Sequence, residues 1–250
     1  MLISVDKAKW MTSFDIIRAL KRELWEKKIG HSWTLDPMAT GLLLIWTGKD
    51  TKKLHELTWL DKSYITTIDF SKKSDTRDMD YREYFEKYKI YPPWERGDKE
   101  GIYIQEKKVP APTIEQIKEK LDNIIPYWEL PLTPFSAKKK NGKKLYELAR
   151  EWIQNIENRT MKVNWYEILE YSFPHLKLKL DVWSGTYIRS IWYRLWQQFG
   201  IWWVLTELRR ISVWDYDIDK ITLDKKWTFF IKEWWEINFK YWVINVSPWV

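Results

Sequence analysis

The sequence predicts an α+β protein, and three observations carry that prediction. Two stretches with capped starts and helical apolar spacing lie near 13–26 and 113–121, strictly alternating stretches lie at 64–70 and 174–182, and lysines crowd an Asn-Gly turn at 138–144. At 250 residues the chain suits one large domain, or a domain with a small appendage, and can bury a substantial core.

Each element has its own warrant. Thr12 with Asp15 three residues on makes a capping-box-like start, and Phe14, Ile17, Leu20 and Leu24 recur at helical spacing, so 13–26 is an amphipathic helix. Its outer face carries Arg18, Lys21, Arg22 and Lys27. Residues 34–48 read as a compact loop passing into a buried apolar helix or strand. Tyr64, Thr66, Ile68 and Phe70 alternate with Ile65, Thr67 and Asp69, a half-buried strand. The charged stretch 72–112, broken by Pro92, Pro93, Pro110 and Pro112, reads as an irregular surface excursion. Thr113 and Gln116 then form a second capping box ahead of Ile114, Ile117 and Leu121. Lys138, Lys139, Lys140, Lys143 and Lys144 flank Asn141-Gly142 as a basic hairpin insertion, and Leu145, Leu148 and Ile153 suggest a short helix. Strands follow at 160–171 and 174–182, the second with Leu176, Leu178, Leu180 and Val182 on one face. It runs into Ser184-Gly185-Thr186-Tyr187-Ile188-Arg189, a strand-turn-helix junction. The final stretch is aromatic and poorly periodic.

Composition narrows the chemistry. Cysteine is absent, which removes disulfides, zinc-thiolate clusters and thiol nucleophiles together. None of the three histidines has a second histidine or a cysteine at ligand spacing, so no catalytic metal is expected. Carboxylates, hydroxyls and basic groups must then carry any reaction. Lys+Arg 42 against Asp+Glu 35 gives a net charge of +7, a reason to expect a polyanionic partner. No leader-like start and no apolar run of about 18 residues occurs, so the expected location is the cytoplasm, without a membrane partner.

One imbalance stands out. Average usage of about 7% would give roughly 17 glycines, whereas the chain has 8 glycines and 20 tryptophans. The tryptophans fall at turns and helix ends: Trp10 before the first helix, Trp25 where a terminating glycine belongs, Trp33 inside Ser32-Trp33-Thr34, Trp46 after an apolar run, and Trp59 in Thr58-Trp59-Leu60. Such positions favour a left-handed backbone, which glycine accepts and tryptophan resists. Many of them are therefore expected to be glycine in the living protein, a UGA codon being read as glycine in the cell and as tryptophan under the standard code. A sugar-binding surface would instead align its aromatics on one face of an element.

Two segments could do chemistry. Pro37 restricts the backbone of Asp36 and thereby fixes where its carboxylate points. The junction at Gly185 delivers a phenol, Tyr187, and a guanidinium, Arg189. An arginine beside a carboxylate favours the ionised state that a nucleophile needs.

These segments resemble the signature of the tRNA pseudouridine-55 synthases, the bacterial TruB-type family. Asp6-Lys7-Ala8-Lys9-Trp10-Met11-Thr12-Ser13 is similar to its Lys-Pro-x-Gly-x-Thr-Ser opening, and Gly30-His31-Ser32-Trp33-Thr34-Leu35-Asp36-Pro37-Met38-Ala39-Thr40-Gly41 to its catalytic loop Gly-His-x-Gly-Thr-Leu-Asp-Pro-x-Ala-x-Gly. Asp61-Lys62-Ser63-Tyr64, Phe135-Ser136-Ala137, Tyr146-Glu147-Leu148-Ala149-Arg150, Gly185 to Arg189 and Leu208-Arg209-Arg210 resemble later motifs in the family's order, over about residues 3–222. At Trp10, Trp25, Trp33, Trp59, Trp152, Trp196, Trp203 and Trp214 the family typically has glycine.

The resemblance implies a pseudouridine synthase fold, a mixed and largely antiparallel sheet with flanking helices, in a catalytic domain over 1–223. The tail 224–250 is too short for a complete PUA domain. It implies isomerisation of uridine 55 in the tRNA T-loop, by base flipping and without cofactor or metal, by a monomer. By resemblance Asp36 is the nucleophile, Tyr64 stacks on the target base, and Arg189 pairs with the catalytic carboxylate. Tyr187 belongs to the same wall, and Leu208 to a late motif at the substrate side. His31 either fills the space left by the flipped base or supports the loop. Lys138, Lys139, Lys140 and Lys143 are the expected phosphate contacts. A relative acting on another RNA, or a tRNA-folding module without catalysis, is the alternative.

Overall fold

The computed structural model describes residues 1–57, 59–74, 77–78, 102–104, 110–123, 125, 127–133, 136, 138–140, 142–145, 157–220, 225–226 and 243–247. These fall into two compact units, residues 1–64 with 208–250, and residues 65–207.

The first unit opens with β1 (Leu2–Lys7), α1 (Ser13–Leu24), β2 (Ile29–Ser32), β3 (Thr40–Thr47) and α2 (Leu54–Leu57), and takes in β12 (Val204–Val213) from Leu208 onward, then β13 (Tyr216–Asp217), β14 (Lys225–Lys226) and β15 (Val243–Ser247). Its sheet runs β14-β15-β1-β3-β12. The run Leu42–Ile45 is fully buried, as expected of a central strand covered on both faces, which settles 40–47 as strand rather than helix. One edge of β3 pairs antiparallel with β1; the other is shared, β2 taking Leu44–Thr47 antiparallel and β12 taking Thr40 and Gly41 in parallel. That close approach needs Gly41: at φ 101°, a Cβ there would stand 2.1 Å from the Arg210 carbonyl oxygen. Leu2, Leu42, Leu44, Trp46 and Val213 form one core cluster, packed by Leu54, Leu60, Tyr216 and Ile218. The aromatic tail supplies β15, which extends the sheet beyond β1.

Helix α1 begins as read, with the Thr12–Asp15 capping box complete in both directions. Its buried face differs, being Ser13, Ile16, Ile17 and Leu20, while Phe14 is exposed with the Arg18 guanidinium 5.8 Å from its ring. At 100° per residue Phe14 lies well off the line through 13, 17, 20 and 24, and the sheet takes up that line. The helix stops at Trp25, whose φ of 52° and ψ of 27° are left-handed.

The second unit holds β4 (Lys62–Asp69) from Ile65 onward, β5 (Lys72–Ser74), β6 (Ile102–Ile104), α3 (Ile114–Asp122), β7 (Tyr127–Pro131), β8 (Lys139–Lys140), β9 (Lys143–Lys144), β10 (Asn158–Ser172), β11 (His175–Val182) and α4 (Ile188–Phe199). Strands follow the order β4-β11-β10-β7. The alternation of β11 puts Leu176, Leu178, Leu180 and Val182 in the core, where Ile191, Trp192 and Leu195 of α4 are also buried. Thr113 caps α3 with Gln116 in a second complete capping box. Part of the stretch read as irregular is ordered, because β5 and β6 pair antiparallel. The lysine hairpin forms, Lys139 opposite Lys144 and Lys140 opposite Lys143, with Gly142 at φ 83°. Leu148 and Ile153 of the expected short helix lie outside the described residues. No described helix is long and apolar enough to cross a membrane.

The result is an α+β fold with a mixed, mostly antiparallel sheet and flanking helices, as the resemblance implies. Among the described residues, the non-glycine positions with positive φ are Trp10, Trp25, Trp33, Arg77 and Trp214. Trp214 opens the two-residue loop between Val213 and Tyr216, a hairpin turn that favours glycine, asparagine or aspartate.

Candidate active site

Asp36 lies in the turn between β2 and β3. Its carbonyl accepts the Ala39 N–H at 3.0 Å, with Pro37 at the second position of the turn, where a fixed φ suits it. Three elements hold that turn. The Pro37 carbonyl accepts the Trp10 N–H at 2.7 Å and the Lys7 ammonium at 3.2 Å, while the Leu35 N–H donates to Ser13 Oγ at 3.0 Å. The Asp36 side chain is half-buried on a backbone clamped from β1, from the loop at Trp10 and from the first turn of α1.

Buried cations surround the turn. Lys7, fully buried at the end of β1, also donates to the carbonyls of Met11 (2.7 Å) and Ala8 (3.0 Å). Burial lowers its pKa to about 7, partly opposed by the negative charge of Asp36. Arg210, equally buried on β12, donates to the carbonyls of Leu42 (2.6 Å) and Trp33 (3.3 Å), so it ties the loop before Asp36 to the strand after it. Lys62 at the start of β4 lies 3.9 Å from the centre of the Trp33 ring, and burial together with Arg210 lowers its pKa to about 7. His31 stands on β2 opposite Ile45; burial first, then the Arg210 charge, depress its pKa, which keeps the ring neutral at pH 7. Tyr64 and Leu208 of the same unit are buried.

In the second unit the junction at Gly185 is tied to β10. Lys162 N–H donates to Thr186 Oγ1 at 3.2 Å, Thr186 Oγ1 donates to the Lys162 carbonyl at 3.1 Å, and Trp183 N–H donates to that carbonyl at 3.0 Å. Tyr187 is half-buried there, and Arg189 begins α4 almost wholly buried. The Arg189 guanidinium lies 3.4 Å from the carboxylate of Asp78, which is itself shielded. Beside it, Arg77 stacks 3.8 Å over the ring of Tyr193. Of the expected phosphate contacts, Lys138 is half-buried with its ammonium 4.0 Å from Glu157; the backbones of Lys139, Lys140 and Lys143 form the hairpin.

The sequence profile of the TruB family pseudouridylate synthase N-terminal domain matches residues 21–93 and 80–188. The chain is 35% identical to the tRNA pseudouridine synthase B of Protochlamydia amoebophila over 201 residues, covering 80% of this chain and 68% of that protein. The chain belongs to the TruB family of pseudouridylate synthases. By class it is an isomerase. Other TruB-family relatives are the tRNA pseudouridine synthases B of Fusobacterium nucleatum, 33% identical over 87% of this chain and 69% of that protein, and of Chlamydia felis, 35% identical over 88% and 85%. The fold matches that of an H/ACA RNP bound to a substrate RNA containing 2'-deoxyuridine, with a TM-score of 0.59 at 20% identity, covering 88% of this chain. It also matches a Cbf5-Nop10-Gar1 complex, with a TM-score of 0.60 at 21% identity over 88% of this chain. The chain spans about half the length of those solved chains, 49% and 50%.

For a TruB-family chain, the expected site residues divide by unit: Asp36, His31, Tyr64 and Leu208 in the first, Tyr187, Arg189 and the lysine hairpin in the second. Reading the sequence missed Asp78. Its only signal is an acid shortly after the β5 strand, lost in a highly charged stretch.

Proposed function

We propose that this chain converts uridine 55 in the T-loop of tRNA to pseudouridine, with Asp36 as nucleophile. The observation that carries the reading is the clamped Asp36-Pro37 turn, its backbone held by three elements and its carboxylate close enough to the buried Lys7 ammonium to interact with it by charge. The N-glycosidic bond of the everted uridine breaks, the base turns, and its C5 bonds to the ribose C1′. The C5 proton leaves and N1 gains one, so the atoms balance without a redox partner. Tyr64 stacks on the base, and Arg189 serves the reaction with Asp78 as a counter-charge. Extruding the base costs a few kcal/mol, and stacking at about 1–3 kcal/mol offsets much of that. The names of the relatives support tRNA as substrate. In the test, Asp36→Asn loses more than about a thousandfold in turnover while tRNA binding persists. Arg189→Ala is expected to lower turnover as well. Full activity of Asp36→Asn, or unchanged uridine at position 55 in tRNA treated with the wild-type protein, overturns the proposal.

We also propose that the protein made in its own cells carries glycine at Trp10, Trp25, Trp33 and Trp214. All four have left-handed φ, between 51° and 68°, and Trp25 and Trp214 leave their rings in solvent. A left-handed backbone costs a non-glycine residue roughly 1–2 kcal/mol, and the exposed rings of Trp25 and Trp214 do not recover that cost by burial. Trp59, Trp196 and Trp203 lack positive φ, and Trp152 is outside the described residues. The fourfold Trp→Gly variant is expected to melt higher than the chain with tryptophan at all four positions. Peptides from the native source that carry tryptophan at these positions overturn the idea.

A further inference from the structure

We propose that Arg159 grips a phosphodiester of the RNA strand next to the everted nucleotide; the inference rests on the tRNA reading above. Arg159 is the second residue of β10, opposite Leu130 of β7, and is exposed. The beginning of β10 is fastened to the junction that supplies Tyr187 and Arg189, through the Lys162 contacts and through Tyr187 N–H donating to Met161 Sδ at 3.4 Å. Gly185 makes the next contact possible. Its φ is 83°, and the point where a Cβ would stand lies 3.2 Å from Arg159 Nη2, 3.3 Å from Cζ and 3.6 Å from Nη1. Three guanidinium atoms at nearly equal distance mean that the flat group lies face-on over the Gly185 Cα, with its N–H edges free to point elsewhere.

Those donors have no hydrogen bond or ion pair among the described residues. The neighbouring carboxylates are otherwise engaged: Glu157 lies 4.0 Å from the Lys138 ammonium, and Glu129 accepts from Thr160 Oγ1 at 3.4 Å. An arginine packed on backbone, short of acceptors and beside two expected site residues, suits a planar, doubly accepting anion, and phosphate in RNA has that chemistry. Packing over Gly185 removes most of the rotamer freedom that a loose surface lysine would lose on binding.

The test compares wild type, Arg159→Ala and Arg159→Lys on a tRNA T-arm hairpin, with melting temperatures measured alongside. Arg159→Ala is expected to raise KM about tenfold or more with kcat within about twofold, as loss of a charged hydrogen-bonded contact implies. The slope of log affinity against log salt should fall by about one phosphate contact. Arg159→Lys should recover the slope and only part of the KM. A hairpin carrying one methylphosphonate beside the target uridine should bind wild type and Arg159→Ala alike. Unchanged KM and slope in a normally folded Arg159→Ala overturn the inference. Absence of any uridine conversion by the wild-type protein would instead overturn the tRNA reading.

Discussion

Asp36 owes its position to small local facts. A proline after it fixes the turn, a serine hydroxyl from α1 caps the preceding N–H, and a buried ammonium holds the following carbonyl. The proline was visible in the sequence; Lys7 stood out only within the Lys-Pro-x-Gly resemblance, and nothing in the sequence placed its ammonium on the Pro37 carbonyl. The same holds for Asp78, which only three-dimensional proximity singles out as the partner of Arg189. Neutralising it removes a carboxylate from beside a shielded guanidinium, which costs about 1–3 kcal/mol. Asp78→Asn is therefore expected to lower kcat ten- to a hundredfold with little change in KM, as single-turnover kinetics on tRNA would read; an unaltered kcat would make the pair a matter of folding alone.

At the level of elements, the two helix starts were legible because a capping box is a short-range device, written within four residues. The alternation of β11 was legible for the same reason. Short strands were not: β2 is four residues containing glycine and histidine, and it exists because β3 offers it an edge. β5 and β6 likewise depend on each other across 27 intervening residues, which period cannot reveal. The lysine hairpin was written in its Asn-Gly turn. Replacing Lys139, Lys140, Lys143 and Lys144 by alanine should reduce the salt slope of tRNA binding by about three, at about 0.7–0.9 per phosphate contact, as filter binding over a salt series would measure. A slope that does not move would put the hairpin outside the RNA footprint.

For the molecule as a whole, the two buried lysines impose a pH dependence on stability. Lys7 and Lys62 have folded pKa values of about 7 against an ordinary value of 10.5. Between those limits the unfolded chain binds more protons than the folded one, so stability rises with pH across that window and is flat with respect to these groups below it. Urea midpoints are expected to climb from pH 7 to pH 9, and Lys7→Met should flatten part of the rise; an equal slope in the variant would assign the rise to surface charge. The α+β class was readable from pattern, whereas the division into two units was not, because it depends on which distant segments meet.

The bond from Arg210 to the Leu42 carbonyl joins positions 168 residues apart. During synthesis, the segment bearing Asp36 leaves the ribosome long before its brace has been made. A nascent chain halted before Leu208 would hold the Asp36 turn through Lys7, Trp10 and Ser13 alone, and the tie from Arg210 across the carbonyls of Trp33 and Leu42 would arrive only when β12 is added.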